Sequence, residues 1–238
     1  KVLDDFIIKR PTAEFYDIKE MVANFHLKYP VMANPLSLGS SVGIHRADNF
    51  EELCGACADI FKLGDDVLCE PFIENLTEYN IAVMKDKNGN IITSAIERPN
   101  ASGMVLSFAD KYLSKNGKKG MKKGAVSVIP SRALIESRRE FNPHLTSEQE
   151  KFIRESAIRL YDGLGATGAP RIDFIGDAKT GEIWLNEINP IPGAFAFYLW
   201  EKSERKITYQ ELVDIILTNA NCGTQNIDLK QSSSIVFK

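Results

Sequence analysis

The sequence lacks the features that mark several specialised classes of protein. Its 238 residues contain no run of about 18 apolar residues, the length that a membrane span needs. Lys and Arg number 29 against 32 for Asp and Glu, so the formal charge of -3 gives no reason to expect nucleic acid or an anionic membrane as a partner. The opening residues KVLDDFIIKR contain no apolar segment of the kind found in signal peptides. We therefore expect a globular, cytoplasmic protein.

Cysteine is also scarce, since four residues are too few for a disulfide scaffold. Cys54 and Cys57 form a CxxC motif, but it lies in a segment with the apolar periodicity of a helix. A zinc site would need a second cysteine pair or a histidine cluster, and the three histidines are scattered along the chain. The pattern favours structural thiols in a reducing compartment.

Segments with the periodicity of strands alternate along the chain with segments typical of helices. The predicted strands are residues 6–8, 29–35, 66–70, 78–85, 91–96, 169–175 and 183–188, and the predicted helices are 18–25, 50–62, 147–162 and 212–219. Strands in hairpins that are separated by helices predict the α+β class. A boundary at 73–77 divides the chain into two expected subdomains, 1–75 and 76–238.

Local signals mark one turn and two helix starts. The Asn-Gly pair at 88–89 is typical of a tight β-hairpin turn between two strands. Thr146 with Gln149, and Thr208 with Glu211, have the spacing of capping boxes, in which each side chain bonds the backbone of the other.

The segment PRIDFIGDAKTGEIWLNEINPIPG, residues 170–193, concentrates the most informative polar side chains. Residues two apart on a strand share a face, so Arg171 and Asp173 point one way, and so do Glu187 and Asn189. Pairing about the turn near 179 places Arg171 opposite Glu187. Oxygen donors in such a cluster suit Mg2+, and an Arg beside them suits a phosphate or an oxyanion.

The alternative for this segment is a solvated polar face with a cross-strand ion pair between Arg171 and Glu187. Ile183, Trp184 and Leu185 predict that the second strand is well buried, and a buried polar row is costly unless it is paired or liganded. We therefore favour a binding site over a solvated face.

Three weaker features accompany the cluster. The loop GSSVG at 39–43 offers backbone N–H groups and the hydroxyls of Ser40 and Ser41 to a phosphate, although an ordinary turn has the same composition. A strand ends in CEPFI at 69–73, and Glu78 follows it. Lys111 stands beside the Lys- and Gly-rich segment 114–124, which we expect to be an exposed loop.

Together these features resemble the ATP-grasp superfamily and, within it, the D-alanine–D-alanine ligases, over nearly the whole chain. The resemblance implies two α+β subdomains whose antiparallel sheets grip a nucleotide between them. It implies three sets of site residues: for catalysis Arg171, Gly193 and Ser40; for the nucleotide Glu70, Ile73, Glu78, Lys111, Ser41, Asn34 and Phe174; for metal Asp173, Glu187 and Asn189.

The resemblance also implies an activity. The family members are ATP-dependent carboxylate–amine ligases of peptidoglycan precursor synthesis. ATP phosphorylates the carboxylate of a first D-alanine, and the amine of a second attacks the resulting acyl phosphate. The implied cofactors are ATP and two Mg2+ ions, with Mn2+ as a substitute. The implied partners are amino-acid substrates, with no nucleic acid and no membrane, and a homodimer stays open.

Four departures from the family pattern qualify this expectation. Asn34 and Pro71 stand where the family has lysines, and Tyr198 stands where it has a serine near the substrate pocket. Asn34 in place of a charged donor is expected to weaken the phosphate contact about tenfold. The family's N-terminal domain is missing, and because the chain begins with Lys rather than Met, a processed protein and a piece of a longer one both stay open.

These departures leave two alternatives open. One is an ATP-grasp ligase with other substrates, which Tyr198 and the insert at 114–124 support. The other is a catalytically degenerate module that binds a nucleotide without turnover, which the two absent lysines support.

Overall fold

The computed structural model describes residues 1–11, 17–22, 26, 28–38, 43–99 and 139–221. The predicted site residues Ser40, Ser41 and Lys111, and the segment 114–124, lie outside this part of the chain. In chain order the elements are β1 (Phe6–Ile8), α1 (Ile18–Val22), β2 (Val31–Pro35), β3 (His45–Ala47), α2 (Phe50–Lys62), β4 (Val67–Pro71), β5 (Leu76–Lys85), β6 (Ile91–Thr93), β7 (Glu97–Pro99), β8 (Arg139–Phe141), α3 (Ser147–Gly163), β9 (Arg171–Asp177), β10 (Ile183–Asn189), a 3-10 helix (Gly193–Ala196), α4 (Phe197–Glu201) and α5 (Tyr209–Asn221).

The chain divides into two compact units, each assembled from three chain segments. Unit 1 consists of Lys1–Tyr79, Arg98–Glu140 and Phe174–Asn186, and unit 2 consists of Asn80–Glu97, Phe141–Asp173 and Glu187–Lys238. The long strands β5, β9 and β10 contribute one end to each unit. The predicted division at residue 75 stays a prediction.

Unit 1 contains a four-stranded antiparallel sheet in the order β1-β4-β2-β3. Alternate residues of β2 and β4 are fully buried on one face, including Val31, Ala33, Val67 and Cys69. These side chains pack against helix α2. The buried residues of α2 recur at helical spacing, so they form one apolar face that meets the sheet. The opposite face of this sheet is only half-buried, so it can carry polar side chains.

Helix α2 begins as the sequence predicts, because the Asn49 side chain accepts from the backbone N–H of Glu52 at 3.0 Å. The helix carries Cys54 and Cys57 into the core of unit 1, and Cys69 reaches the same core from β4. All three thiols are buried and none is in a disulfide. Burial raises the pKa of Cys57 and of Cys69 to about 12, so both are neutral apolar core groups at physiological pH.

Unit 2 has its own core around Trp200, which is fully buried with Leu199, Leu212 and Met84. Helix α3 begins with the predicted capping box, in which Thr146 and Gln149 bond each other's backbone N–H groups. The Thr208–Glu211 pair makes the same reciprocal bonds before α5.

The second sheet has the order β10-β9-β5-β7-β8, with β6 paired to β5. The hairpin from β5 to β6 is antiparallel and turns at Gly89, whose φ of 83° lies in the left-handed region that glycine adopts without strain. The α+β class and the antiparallel sheets predicted from the sequence are confirmed. None of the helices in the described ranges is both long and apolar enough to cross a membrane.

Strand β10 differs from its prediction. It lies at the edge of the sheet, so most of its side chains keep contact with solvent. Trp184 and Leu185 are half-buried, Glu187 is exposed, and Ile183 is buried. The expectation of a well-buried strand was wrong, because an apolar run does not distinguish an edge strand from a central one. On its outer side, Val2 forms a parallel bridge with Leu185.

Candidate functional site

The predicted polar cluster forms within unit 2, at the start of β9. The guanidinium of Arg171 grips Asp173 with two parallel bonds, Nε to Oδ1 and Nη2 to Oδ2, each 2.6 Å. The two side chains share a face because they are two residues apart on one strand. They are largely buried, with 24% and 12% of the side chains exposed. A forked, charge-assisted pair of this kind fixes orientation as well as charge.

The other two members of the cluster come from β10. The amide Nδ2 of Asn189 donates to Asp173 Oδ2 at 2.9 Å and to Glu187 Oε1 at 3.3 Å. One nitrogen therefore bridges the two carboxylates. The structure brings together the four residues that the sequence placed on one face, but it differs in one pairing, since Arg171 bonds Asp173 on its own strand and not Glu187.

Tyr198 joins this cluster through Arg171, which the sequence did not predict. The guanidinium donates to the Tyr198 hydroxyl, since Arg has no acceptor of its own. Hydrogen bonding to Asp173, first of all, and the contact with Tyr198 raise the pKa of Arg171 above its ordinary value. The sequence had marked Tyr198 only as a departure from the family pattern near the substrate pocket, and that departure was the available signal.

The backbone beyond β10 turns sharply. Gly193 is exposed and begins the 3-10 helix, and Ala194, Phe195 and Ala196 follow with φ values of 49°, 53° and 49°. Non-glycine residues in this left-handed region carry strain, about 1–2 kcal/mol each. Strain of this kind concentrates at functional sites, where the surrounding structure fixes it.

A second group of predicted residues lies in unit 1, on the half-buried face of the four-stranded sheet. The register places Met32 opposite Glu70 and Asn34 opposite Leu68. Asn34 Nδ2 donates to Glu70 Oε2 at 3.1 Å. Burial raises the pKa of Glu70, and the bond from Asn34 opposes part of that rise. The structure thus joins two predicted nucleotide residues, Asn34 and Glu70, whose contact the sequence did not predict.

Three further predicted nucleotide residues, Ile73, Glu78 and Phe174, also belong to unit 1. Ile73 follows β4 and lines a cavity of about 650 Å³ with Phe72 and Trp184. Glu78 is half-buried on β5. Phe174 is fully buried, on the face of β9 opposite Asp173. Their contacts with a nucleotide stay predictions.

The donor atoms of the cluster in unit 2 determine whether it fits a divalent cation. Within the described ranges, no group of three or more His, Cys, Asp and Glu side chains could hold a metal ion. The cluster instead offers two carboxylates and, once the Asn189 amide turns its oxygen in place of its nitrogen toward them, a carboxamide oxygen; all are hard oxygen donors that suit Mg2+ or Mn2+. The bridging Asn189 nitrogen shows that one electropositive atom reaches both carboxylates. The donor set therefore fits a divalent cation.

Comparisons with known proteins decide the family. The family model described as D-ala D-ala ligase C-terminus matches residues 5–218. The chain belongs to the D-alanine–D-alanine ligase family. Among curated relatives, it is 34% identical over 213 residues to the D-alanine–D-alanine ligase of Thermosipho melanesiensis, covering 88% of this chain and 50% of the relative. It is 34% identical over 177 residues to that of Wolinella succinogenes, covering 74% and 45%.

Solved structures of D-alanine–D-alanine ligases and a related ligase share the fold. The crystal structure of D-alanine–D-alanine ligase from Helicobacter pylori is 26% identical with a TM-score of 0.59, covering 90% of this chain and 56% of that one. The VanG D-Ala:D-Ser ligase from Enterococcus faecalis is 25% identical with a TM-score of 0.61, covering 91% and 56%. The ATP-grasp fold is confirmed. The chain spans about half the length of the curated relatives it matches.

Proposed function

We propose that this chain is the nucleotide- and metal-binding part of an ATP-dependent ligase that joins the carboxylate of one amino acid to the amine of another. D-Alanine is the proposed substrate for both positions, because the matched relatives are named D-alanine–D-alanine ligases. The observation that carries the proposal is the cluster of Arg171, Asp173, Glu187 and Asn189 on one face of the sheet. The proposed location is the cytoplasm, because the proposed reaction consumes ATP.

In the proposed reaction the protein works by orientation and charge. Asp173, Glu187 and Asn189 would hold two Mg2+ ions in the proposed arrangement. When bound, these ions would neutralise charge on the phosphate oxygens. Arg171 is a rigid fork whose geometry matches a phosphate or an acyl phosphate as well as a carboxylate. The exposed Gly193 offers its backbone N–H to an oxyanion at the turn that ends β10.

The proposed nucleotide contacts belong to unit 1. The half-buried sheet face of Met32, Asn34, Leu68 and Glu70 offers apolar surface to a base, and the Glu70 carboxylate offers an acceptor to its amino group. Ile73, Glu78 and Phe174, with Ser41 and Lys111 outside the described residues, complete the proposed nucleotide site. Ser40, also outside the described residues, is a proposed catalytic residue. The expected tenfold weakening of phosphate binding by Asn34 stays a prediction.

The decisive test is calorimetric titration with Mg2+ and a non-hydrolysable ATP analogue. Glu187→Gln removes one negative charge and keeps the shape of the side chain, so it should abolish metal-dependent nucleotide binding. Because Glu187 is exposed, the unfolding free energy of the variant should differ from that of the unmodified protein by less than about 0.5 kcal/mol. Glu182→Gln is the matched control, an exposed carboxylate of the same hairpin that pairs with Lys1. Unchanged nucleotide affinity in Glu187→Gln would contradict the metal assignment.

A second candidate differs only in the amine substrate. The contact between Tyr198 and Arg171 places an aromatic side chain where the family pattern has a serine. A relative of known structure is named as a D-Ala:D-Ser ligase, so members of this fold differ in the second amino acid. ADP release measured against a panel of amino acids separates the candidates. If no amino acid in the panel stimulates ADP release, the result favours a nucleotide-binding module without turnover.

A further inference from the structure

Arg171 is held from two sides by partners of different chemistry. Asp173 takes both N–H groups of one edge of the guanidinium at 2.6 Å, and the neutral hydroxyl of Tyr198 accepts from the same guanidinium. A guanidinium has five N–H donors in a fixed plane, so it can serve both partners at once. The two partners respond differently when a cation arrives.

Asp173 cannot serve Arg171 fully and a divalent cation as well. Its two oxygens already accept from Arg171, and Oδ2 also accepts from Asn189 at 2.9 Å. A carboxylate has about four lone-pair positions, and a cation at one of them repels a guanidinium at the next. We therefore expect a metal ion at Asp173 to weaken the fork between Arg171 and Asp173.

The Tyr198 hydroxyl does not move when a metal ion binds to Asp173. It is uncharged, and its ring packs edge-on against Phe141 and Phe197, with centroid distances of 6.3 and 6.0 Å. These aromatic contacts fix the ring independently of the carboxylates. Tyr198 also packs against the buried core around Trp200.

We infer that Tyr198 is a positioning residue, which holds the Arg171 guanidinium in the site when Asp173 turns from Arg171 to a divalent cation. This inference rests on the proposed function. It assigns to Tyr198 an effect that depends on the metal. In the metal-free protein Asp173 alone suffices to hold Arg171, whereas in the loaded protein the guanidinium depends on the tyrosine hydroxyl.

The test compares Tyr198→Phe with the unmodified protein, with and without Mg2+ and a non-hydrolysable ATP analogue. The readout is the NMR signal of the Arg171 Nε–H group, assigned by its loss in Arg171→Lys. Tyr209→Phe is the matched control, because it removes a hydroxyl from another tyrosine whose ring contacts Phe197. Calorimetry on the same samples gives the affinity for the metal–nucleotide complex.

Without metal, all three proteins should show the Arg171 signal. With metal and nucleotide, the signal should shift in the unmodified protein and in Tyr209→Phe, but broaden beyond detection in Tyr198→Phe. The affinity of Tyr198→Phe should fall roughly fivefold, the scale of one lost hydrogen bond.

Two results would overturn the inference alone: a Tyr198→Phe protein that keeps the signal and the affinity when loaded, or one that loses the signal before metal is added. If the unmodified chain binds no metal–nucleotide complex, the proposed function fails and this inference fails with it.

Discussion

The side-chain amide of Asn34 donates to the carboxylate of Glu70 on the neighbouring strand, with 3.1 Å between Nδ2 and Oε2. Burial raises the pKa of Glu70, so the folded chain holds this proton more tightly than the unfolded chain does. The ionised carboxylate therefore lowers stability at neutral pH. This penalty disappears as the pH falls toward and below the ordinary value of 4.5.

We expect Glu70→Gln to raise the unfolding free energy at pH 7 by about 1 kcal/mol, because the amide keeps an acceptor for Asn34 without a buried charge. The gain should shrink when urea unfolding is repeated at pH 4. Glu74→Gln, at an exposed carboxylate four residues away, should change neither value. A gain that is equal at both pH values would show that charge is not its cause.

Asp173→Asn should destabilise unit 2 even without any ligand. The substitution leaves Arg171, only 24% exposed, without its charged partner. We expect a loss of about 2 kcal/mol in urea unfolding, below the 3–5 kcal/mol of a fully buried pair because some solvent reaches the guanidinium. Asp162→Asn, the same change at an exposed position of α3, is the control. Adding Arg171→Met to Asp173→Asn should recover part of the loss, and a further loss of stability would contradict this account.

The capping box before α3 gives a prediction that is independent of the site. Thr146→Ala removes the acceptor of the Gln149 backbone N–H and should cost about 1 kcal/mol of unfolding free energy. Thr146→Ser retains the hydroxyl and should lie within about 0.5 kcal/mol of the unmodified protein. Equal stability of the two variants in urea would mean that the hydroxyl contributes nothing to the helix start.

Thiol labelling tests the burial of the cysteines. With the pKa of Cys57 and Cys69 raised to about 12, roughly one thiol in ten thousand is ionised at pH 8, and burial blocks access as well. Both should resist alkylation in the folded protein and react in urea, as followed by peptide mass spectrometry. Leu63→Cys places a thiol at a position that is 49% exposed, and it should be labelled rapidly. Labelling of Cys57 at a similar rate would show that the core of unit 1 opens readily.

The sequence predicted best those elements whose signals are local. The helix after Asn49, the Asn-Gly hairpin and both capping boxes form where their short-range chemistry predicts. Strands β3, β7 and β8 were missed, because three-residue strands are defined by their pairing partners and not by an internal pattern. The strand predicted at 91–96 ends at Thr93 for the same reason.

The candidate site was also predictable from local signals but not from contacts between distant residues. Two-residue periodicity was enough to place Arg171, Asp173, Glu187 and Asn189 on one face. It could not determine that Arg171 bonds Asp173 instead of Glu187, since register and rotamer decide that choice. The contacts from Asn34 to Glu70 and from Arg171 to Tyr198 join distant parts of the sequence, and no periodic pattern encodes them.

The bridge between Val2 and Leu185 has a consequence for solubility. An edge strand presents unpaired backbone groups that invite pairing with another molecule, and β10 is such a strand. The backbone N–H of Leu185 instead donates to the carbonyl of Lys1 at 3.0 Å, so the first residues of the chain cap this part of the edge. Resistance to aggregation by strand addition at Leu185 therefore depends on Lys1 and Val2, two residues that take no part in the proposed chemistry.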